Sequence, residues 1–373
     1  MTVGDWLKIV GGLVIIVAVF YDLFQSVILP RPAVGKVALT RYALRLLWRL
    51  WRWIGLRRAR VYRRERWLAY FGPIAVFVLF GIWVLALDLG YALIFNGLRT
   101  GLQPVQPTFG SALYFSSTTL VPLSYGDVLP VSTPARVVTV AETGTGIILA
   151  ALVITLLFSL YQSFQRREEL VVTLDAMAGA PPSGVQILES AAEHGMRNEL
   201  VDTLDDWRRW AAAVLESHLA YPILVYFRSS HDNEAWLNSF GAIMDAAALV
   251  VSTIEDGSEG PARLMLTVGN HLVDDFAAYF SLRKSAEPYI EREEFEEATK
   301  RLMTAGYERR PNRDVWKEFS ALRSRYAGPL NEMNKRLAII PAQWIGDRSY
   351  LPHQKQARRT LRRGARTPRR SGN

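Results

Sequence analysis

Thr118-Thr119-Leu120-Val121-Pro122-Leu123-Ser124-Tyr125-Gly126-Asp127 is the segment of this chain whose residue types and spacing could do chemistry. It stands between two apolar stretches, each long enough to cross a bilayer. An irregular turn at membrane depth is tolerated only where it faces protein or a water-filled path. In such a place its backbone carbonyls can replace the water shell of a passing cation. Gly126 suits a backbone conformation closed to other residues, and Asp127 adds negative charge where cations would gather. Just upstream, Phe109 to Leu120 has the length and small, hydroxyl-rich composition of a short helix. Entering the membrane, that helix would turn the negative end of its dipole toward the loop, which favours cations.

Three apolar spans are expected to position this loop. The first runs from about Leu7 to Leu29, with Lys8 and Asp22 its charged residues. The second runs from about Leu68 to Phe95, interrupted by Asp88, and the third from about Val137 to Tyr161, with Glu142 near its start. Each covers a hydrocarbon core of about 30 Å at about 1.5 Å per residue. A cleaved signal peptide in place of the first span would need a basic stretch before it and a small-x-small site after it. Neither is present, so the span is expected to be retained.

The arginines set the orientation. The connection between spans one and two is crowded with them, and Arg166 and Arg167 follow span three, whereas residues 96 to 133 carry Arg99 alone. Positive residues stay on the cytoplasmic side. The amino terminus and the 96–133 segment are thus expected outside, with the long carboxyl-terminal part in the cytoplasm of a multi-pass inner (plasma) membrane protein. Within the basic connection, Arg41, Arg45, Arg49 and Arg52 recur on one helical face, with Leu39, Leu46, Leu47, Leu50, Trp51, Trp53 and Ile54 filling much of the rest. That composition fits an interfacial helix, its arginines at anionic headgroups. A voltage-sensing helix would need arginines every third residue inside a four-helix sensor, and too few spans precede the loop to build one.

Bulk properties agree with a membrane protein carrying a polar appendage. The chain has 373 residues, half of them hydrophobic, and a mean hydropathy of +0.08. The net charge of +9 is concentrated in residues 32–66 and in the last twenty, while the remainder is net acidic. This excludes a protein that coats nucleic acid over its whole surface. With no cysteine, disulfides and thiolate metal sites are impossible.

The order outer helix, pore helix, filter, inner helix over residues 68–164 resembles the potassium-channel pore-domain family of the bacterial two-helix type. Aligned without gaps, Leu123-Ser124-Tyr125-Gly126-Asp127 fall on that family's V-G-Y-G-D. The resemblance implies a selectivity filter formed by Pro122, Leu123, Ser124, Tyr125 and Gly126, with Asp127 at the outer mouth and Thr118 and Thr119 ending the pore helix. It also implies a gating hinge at Gly144 and Gly146, for which close helix packing is the competing role. One loop per chain implies a homotetramer. Two positions depart from the pattern. Pro122 lacks the hydroxyl of the threonine that forms the innermost ion site and has no amide hydrogen. Ser124 replaces the first filter glycine, at a cost of about 1–2 kcal/mol if it keeps glycine-like dihedrals. Potassium selectivity is therefore expected to be weakened. A surface turn would use the same Ser-Tyr-Gly-Asp chemistry, and it is the flanking spans that favour a pore loop.

Residues 170–345 read as helices. Leu200, Leu204, Trp207, Ala211 and Val214 recur at helical spacing, as do Trp236, Phe240, Ile243, Met244 and Ala247. No phosphate-binding glycine motif or calcium loop is present. His271, Asp274 and Asp275 form the one ligand-like cluster, and a solvated helix face accounts for them. His218 is expected in the core or at a cap. The Gln354–Asn373 tail is expected to be disordered. The expected fold is therefore all-α, with three transmembrane helices, a re-entrant loop and a helical cytoplasmic domain. Its divisions are 1–31, 32–66, 67–165, 166–350 and 351–373. The expected function is a tetrameric, non-enzymatic cation channel with no cofactor beyond its permeant K+ or other monovalent cation. Its partners would be membrane lipid, with anionic lipid at the basic segments, and no specific nucleic acid. The alternatives are a non-selective cation channel and a non-conducting sensor or scaffold with a degenerate pore.

Overall fold

The computed structural model describes residues 1–28, 39–57, 61–106, 108–123, 125–179, 181–229, 235–255, 257–282, 289–311, 314–340, 342 and 344. Ser124, much of the basic connection and the whole basic tail lie outside them. The described chain is all-α. Three of its helical segments, Val3–Val27, Arg64–Gly97 and Thr133–Ala178, are long and apolar enough to cross a membrane. It divides into one unit of Met1–Ser163 with Ser217–Phe227 and another of Phe164–Glu216 with Arg228–Asn373.

The first unit begins with α1 (Val3–Leu23), which Thr2 caps by accepting from the Asp5 amide while the Asp5 carboxylate accepts from the Thr2 amide at 2.8 Å. After a π-helical turn, Phe24–Ile28, come α2 (Leu39–Arg57), α3 (Val61–Ala69), α4 (Phe71–Gly97) and α5 (Phe109–Leu120). Helix α6 (Thr133–Ala178) belongs to this unit as far as Ser163. The small residues Gly12 and Gly90 let α1 and α4 approach closely, and Ile16 and Val19 join Trp83, Leu87 and Tyr91 in the core. Phe95 meets Phe115 of α5 edge-on at 4.8 Å.

Asp22 is buried at the end of α1 and ties three helices. It accepts from the Thr40 hydroxyl at 2.6 Å and amide at 3.3 Å in α2, and from the Trp83 indole at 2.9 Å in α4. Helix α2 is amphipathic, but its buried side is not the one the expected residues would make, and the side chains of Leu39 and Arg41 lie outside the described residues. Leu44 and Trp48 are buried, Trp48 against Phe71 at 4.9 Å, while Arg45 and Arg49 face out beside the exposed Leu46, Leu50 and Trp53. Trp51 stacks on Trp67 of α3 at 4.4 Å, each indole donating to the other's backbone carbonyl.

The second unit is a helical cluster built from the end of α6 with α7 (Gly184–Glu193), α8 (Glu199–Ala220, in this unit to Glu216), α9 (Trp236–Ser252), α10 (Glu259–Phe280), α11 (Arg292–Thr304), α12 (Val315–Ser324) and α13 (Ala327–Leu337). Nearly all of α9 is buried, as its Ala, Ile, Leu, Met, Phe and Val run dictates, with α7, α10 and α12 packed around it. Its one charge, Asp245, is balanced by Arg323 at 2.9 Å and accepts from the Tyr326 hydroxyl at 2.7 Å. Arg167 is likewise buried, paired with Glu168 at 2.9 Å and lying over the Trp236 ring. His271 and Asp275 sit on an exposed helix face, 3.7 Å apart. Among the described residues no group of metal-ligating side chains converges. His218 is buried, as expected.

Candidate pore segment

The loop is placed by an excursion whose two ends are tied together. After α4 the chain forms the short strand β1 (Leu102–Gln103), enters α5, turns, and comes back to β2 (Leu129–Pro130), which pairs antiparallel with β1. Val131 and Ser132 donate their amides to the Gly101 carbonyl at 2.8 and 3.2 Å. Residues 104–128 therefore leave and return at one level, which is the geometry a re-entrant segment requires.

Helix α5 starts where the Thr108 hydroxyl caps the Ser111 amide at 3.2 Å and ends at Val121. The Leu123 amide bonds the Thr118 carbonyl at 2.8 Å, drawing the chain into its turn. Beyond it, Leu123 and Tyr125 are 49% and 66% exposed, and Pro122 and Asp127 are exposed too. In a single copy these residues line no enclosed path. Gly126 has φ +76°, a left-handed conformation that glycine adopts without penalty. Asp127 interacts with the Tyr114 hydroxyl of α5. Thr118 and Thr119 are buried, and both hydroxyls donate back to the Phe115 carbonyl, at 3.0 and 2.8 Å.

The two inner-helix glycines separate in role. A side-chain carbon at Gly144 would meet nothing within 4 Å, whereas one at Gly146 would stand 1.9 Å from the Leu120 carbonyl oxygen. Gly146 is the point where α6 bears directly on the end of α5.

Sequence reasoning treated Asp88 and Glu142 only as interruptions of apolar spans. In the structure they hold α5 from two sides. The Ser117 hydroxyl donates to the Asp88 carboxylate at 2.8 Å. Ser116 Oγ lies 3.0 Å from the Asp88 backbone carbonyl and 2.5 Å from Glu142 Oε1. Glu142 is wholly buried. Nearby, Tyr91 Oη and Thr145 Oγ1 are 2.9 Å apart; because Thr145 donates to the Ala141 carbonyl, Tyr91 is the donor. The signal was available, since an ionisable residue within an apolar span is by default a functional candidate.

Residues 74–163 match the family model described as Ion channel. An uncharacterized membrane protein of Bacillus subtilis (strain 168), YdjJ, is 22% identical over 250 residues, which cover 65% of this chain and 69% of its own. No solved structure matches.

Proposed function

We propose that this chain is the subunit of a homotetrameric cation channel of the potassium-channel type. The observation that carries this reading is the tied excursion of residues 104–128 between two membrane-length helices, within the segment that matches the ion-channel family. Four copies arranged about an axis would turn the backbone carbonyls of Pro122, Leu123, Ser124, Tyr125 and Gly126 inward as rings. Thr118 and Thr119 would end each pore helix behind them. Ions would pass down their gradient, shedding water against these rings, with Asp127 concentrating cations at the outer mouth. No cofactor enters the scheme.

The orientation follows the arginines. The amino terminus and residues 96–133 would lie outside an inner membrane, with the second unit in the cytoplasm. Arg45 and Arg49, exposed beside outward-facing Leu46, Leu50 and Trp53, suit anionic lipid headgroups. Pro122 and Ser124 favour a second reading, a cation channel that separates potassium from sodium poorly.

Purified protein in liposomes tests both, with flux driven first by a potassium and then by a sodium gradient. Flux in both gradients identifies a poorly selective channel, and joint replacement Pro122→Thr with Ser124→Gly should then raise the potassium preference. No flux in either gradient overturns the channel and leaves a membrane scaffold.

A further inference from the structure

The chain between α8 and α9 makes a detour. It leaves the second unit after Glu216, packs in the first unit from Ser217 to Phe227, and rejoins the second unit at Arg228. At its centre is a short 3₁₀ turn, Pro222–Tyr226, whose Ile223, Leu224, Val225 and Tyr226 are buried. Tyr226 completes a cluster of three rings. It lies 5.2 Å from Trp48 of α2 and 5.2 Å from Phe71 of α4, which themselves stand 4.9 Å apart. Next to Phe71 is Gly72, where a side-chain carbon would stand 2.8 Å from the Phe227 ring. Gly72 is the seat for that ring. Helix α4 has no side-chain cap at its start, so packed rings rather than a capping hydrogen bond hold this end.

The residues that follow are anchored in the second unit. Arg228 donates to the Leu337 and Ala338 carbonyls at 3.0 and 2.9 Å, closing the end of α13. The Ser229 hydroxyl donates to Glu168 Oε1 at 3.3 Å, on the continuation of α6, and accepts from the Trp236 amide at 3.1 Å. Buried Arg167 pairs with the same carboxylate oxygen. Within a few residues the chain therefore holds both the start of the outer helix and the far end of the inner one.

We propose that residues 217–229 are a strap through which the second unit governs conduction: docked, it fixes the start of α4 and ions pass, and released, it lets α4 shift and conduction falls. This rests on the channel reading above. A helix carries a displacement at one end along its whole length, and α4 meets α5 through Asp88 with Ser117 and through Phe95 with Phe115. A shift at Phe71 thus reaches the helix that leads into Pro122. Because Arg228 and Ser229 tie the strap to α13 and to the continuation of α6, a rearrangement there pulls on the rings. Tyr226 and Phe227 are positioning residues, since neither touches the ion.

The test uses full-length protein in potassium-loaded liposomes. Tyr226→Ala should lower flux about tenfold or more, the scale of losing a ring from two aromatic pairs, while Tyr226→Phe, which keeps the ring, should conduct as wild type does. The chain has no cysteine of its own, so Gly72→Cys with Phe227→Cys supplies the sole thiols, and removing the Phe227 ring makes room for the new side chain at position 72. Added to Tyr226→Ala, this pair should restore flux when oxidised after reconstitution and lose it again with reductant, a reversal that a misfolded protein would not show. The rate at which the pair closes reports docking without any reference to conduction. Arg228→Ala, which frees the exit of the strap, should slow that closure severalfold. Wild type without flux, beside a pair that closes and is slowed by Arg228→Ala, would sink the channel reading and leave the docked strap standing. Full flux in Tyr226→Ala, a closed pair that restores nothing, a pair that never closes, or a closure rate indifferent to Arg228→Ala would overturn the strap.

Discussion

Gly144 and Gly146 lie two residues apart on one helix, yet alanine should act on them with opposite sign. At Gly146 the added methyl would be built 1.9 Å from the Leu120 carbonyl oxygen and 3.0 Å from its carbon. Both are backbone atoms, so no side-chain rotation relieves the clash and α6 or the end of α5 must move. Overpacking of this kind costs about 1–3 kcal/mol. At Gly144 the methyl meets nothing within 4 Å, and replacing a mid-helix glycine gains up to about 1 kcal/mol. The assay is the thermal midpoint of purified protein in detergent, read beside ion flux. Gly146→Ala should lower the midpoint and the flux together, because the end of α5 leads directly into Pro122 and Leu123. Gly144→Ala should leave the midpoint level or raised. If Gly144 is a hinge, flux alone will change there. Equal midpoints for the two variants would refute the contact between α6 and the pore helix.

Asp22→Ala leaves the Trp83 indole and the Thr40 amide and hydroxyl without their acceptor, and should cost about 1–3 kcal/mol by the same melting assay, with Asp22→Asn closer to wild type. In the second unit, Asp245→Ala removes the carboxylate that pairs with the buried Arg323, a loss of about 3–5 kcal/mol, whereas pairing Asp245→Leu with Arg323→Met should recover most of it. The Glu259 carboxyl is held below its usual value of 4.5, first by its hydrogen bond to Arg263 and further by Arg310. Its folded form therefore favours the carboxylate, so its contribution is complete above pH 4.5 and is lost as pH falls through the lower folded value. Acid melting of Glu259→Gln should lack that component.

Helix α5 was legible to its ends. Phe109–Leu120 was expected from its length and its small, hydroxyl-rich composition, and the helix observed is Phe109–Leu120. That residues 39–57 form an amphipathic helix was legible from the arginine spacing, although its buried side is set by Leu44 and Trp48 rather than by the leucines and tryptophans expected there. The third span was placed but its length was not. Expected over Val137–Tyr161, the helix runs from Thr133 to Ala178, because polarity ends a membrane span without ending a helix, and the first breaker is Gly179. Membership of Ser217–Phe227 in the first unit could not be read, since it rests on long-range contacts such as Tyr226 against Trp48 and Phe71. The Ser116–Glu142 contact lay beyond sequence reasoning for the same reason. Pattern finds a lone acid in an apolar run but not the hydroxyl that meets it from another helix.

The knot at Asp22 makes the first helix an integral wall of the pore unit. A shortened protein reduced to the two helices that flank the loop would bare the groove along Gly90 and leave Trp83 donating into nothing. Ile16 and Val19 would no longer fill the space beside Leu87 and Tyr91. Such a trimmed chain would need a new neighbour along that groove before it could stand alone in lipid.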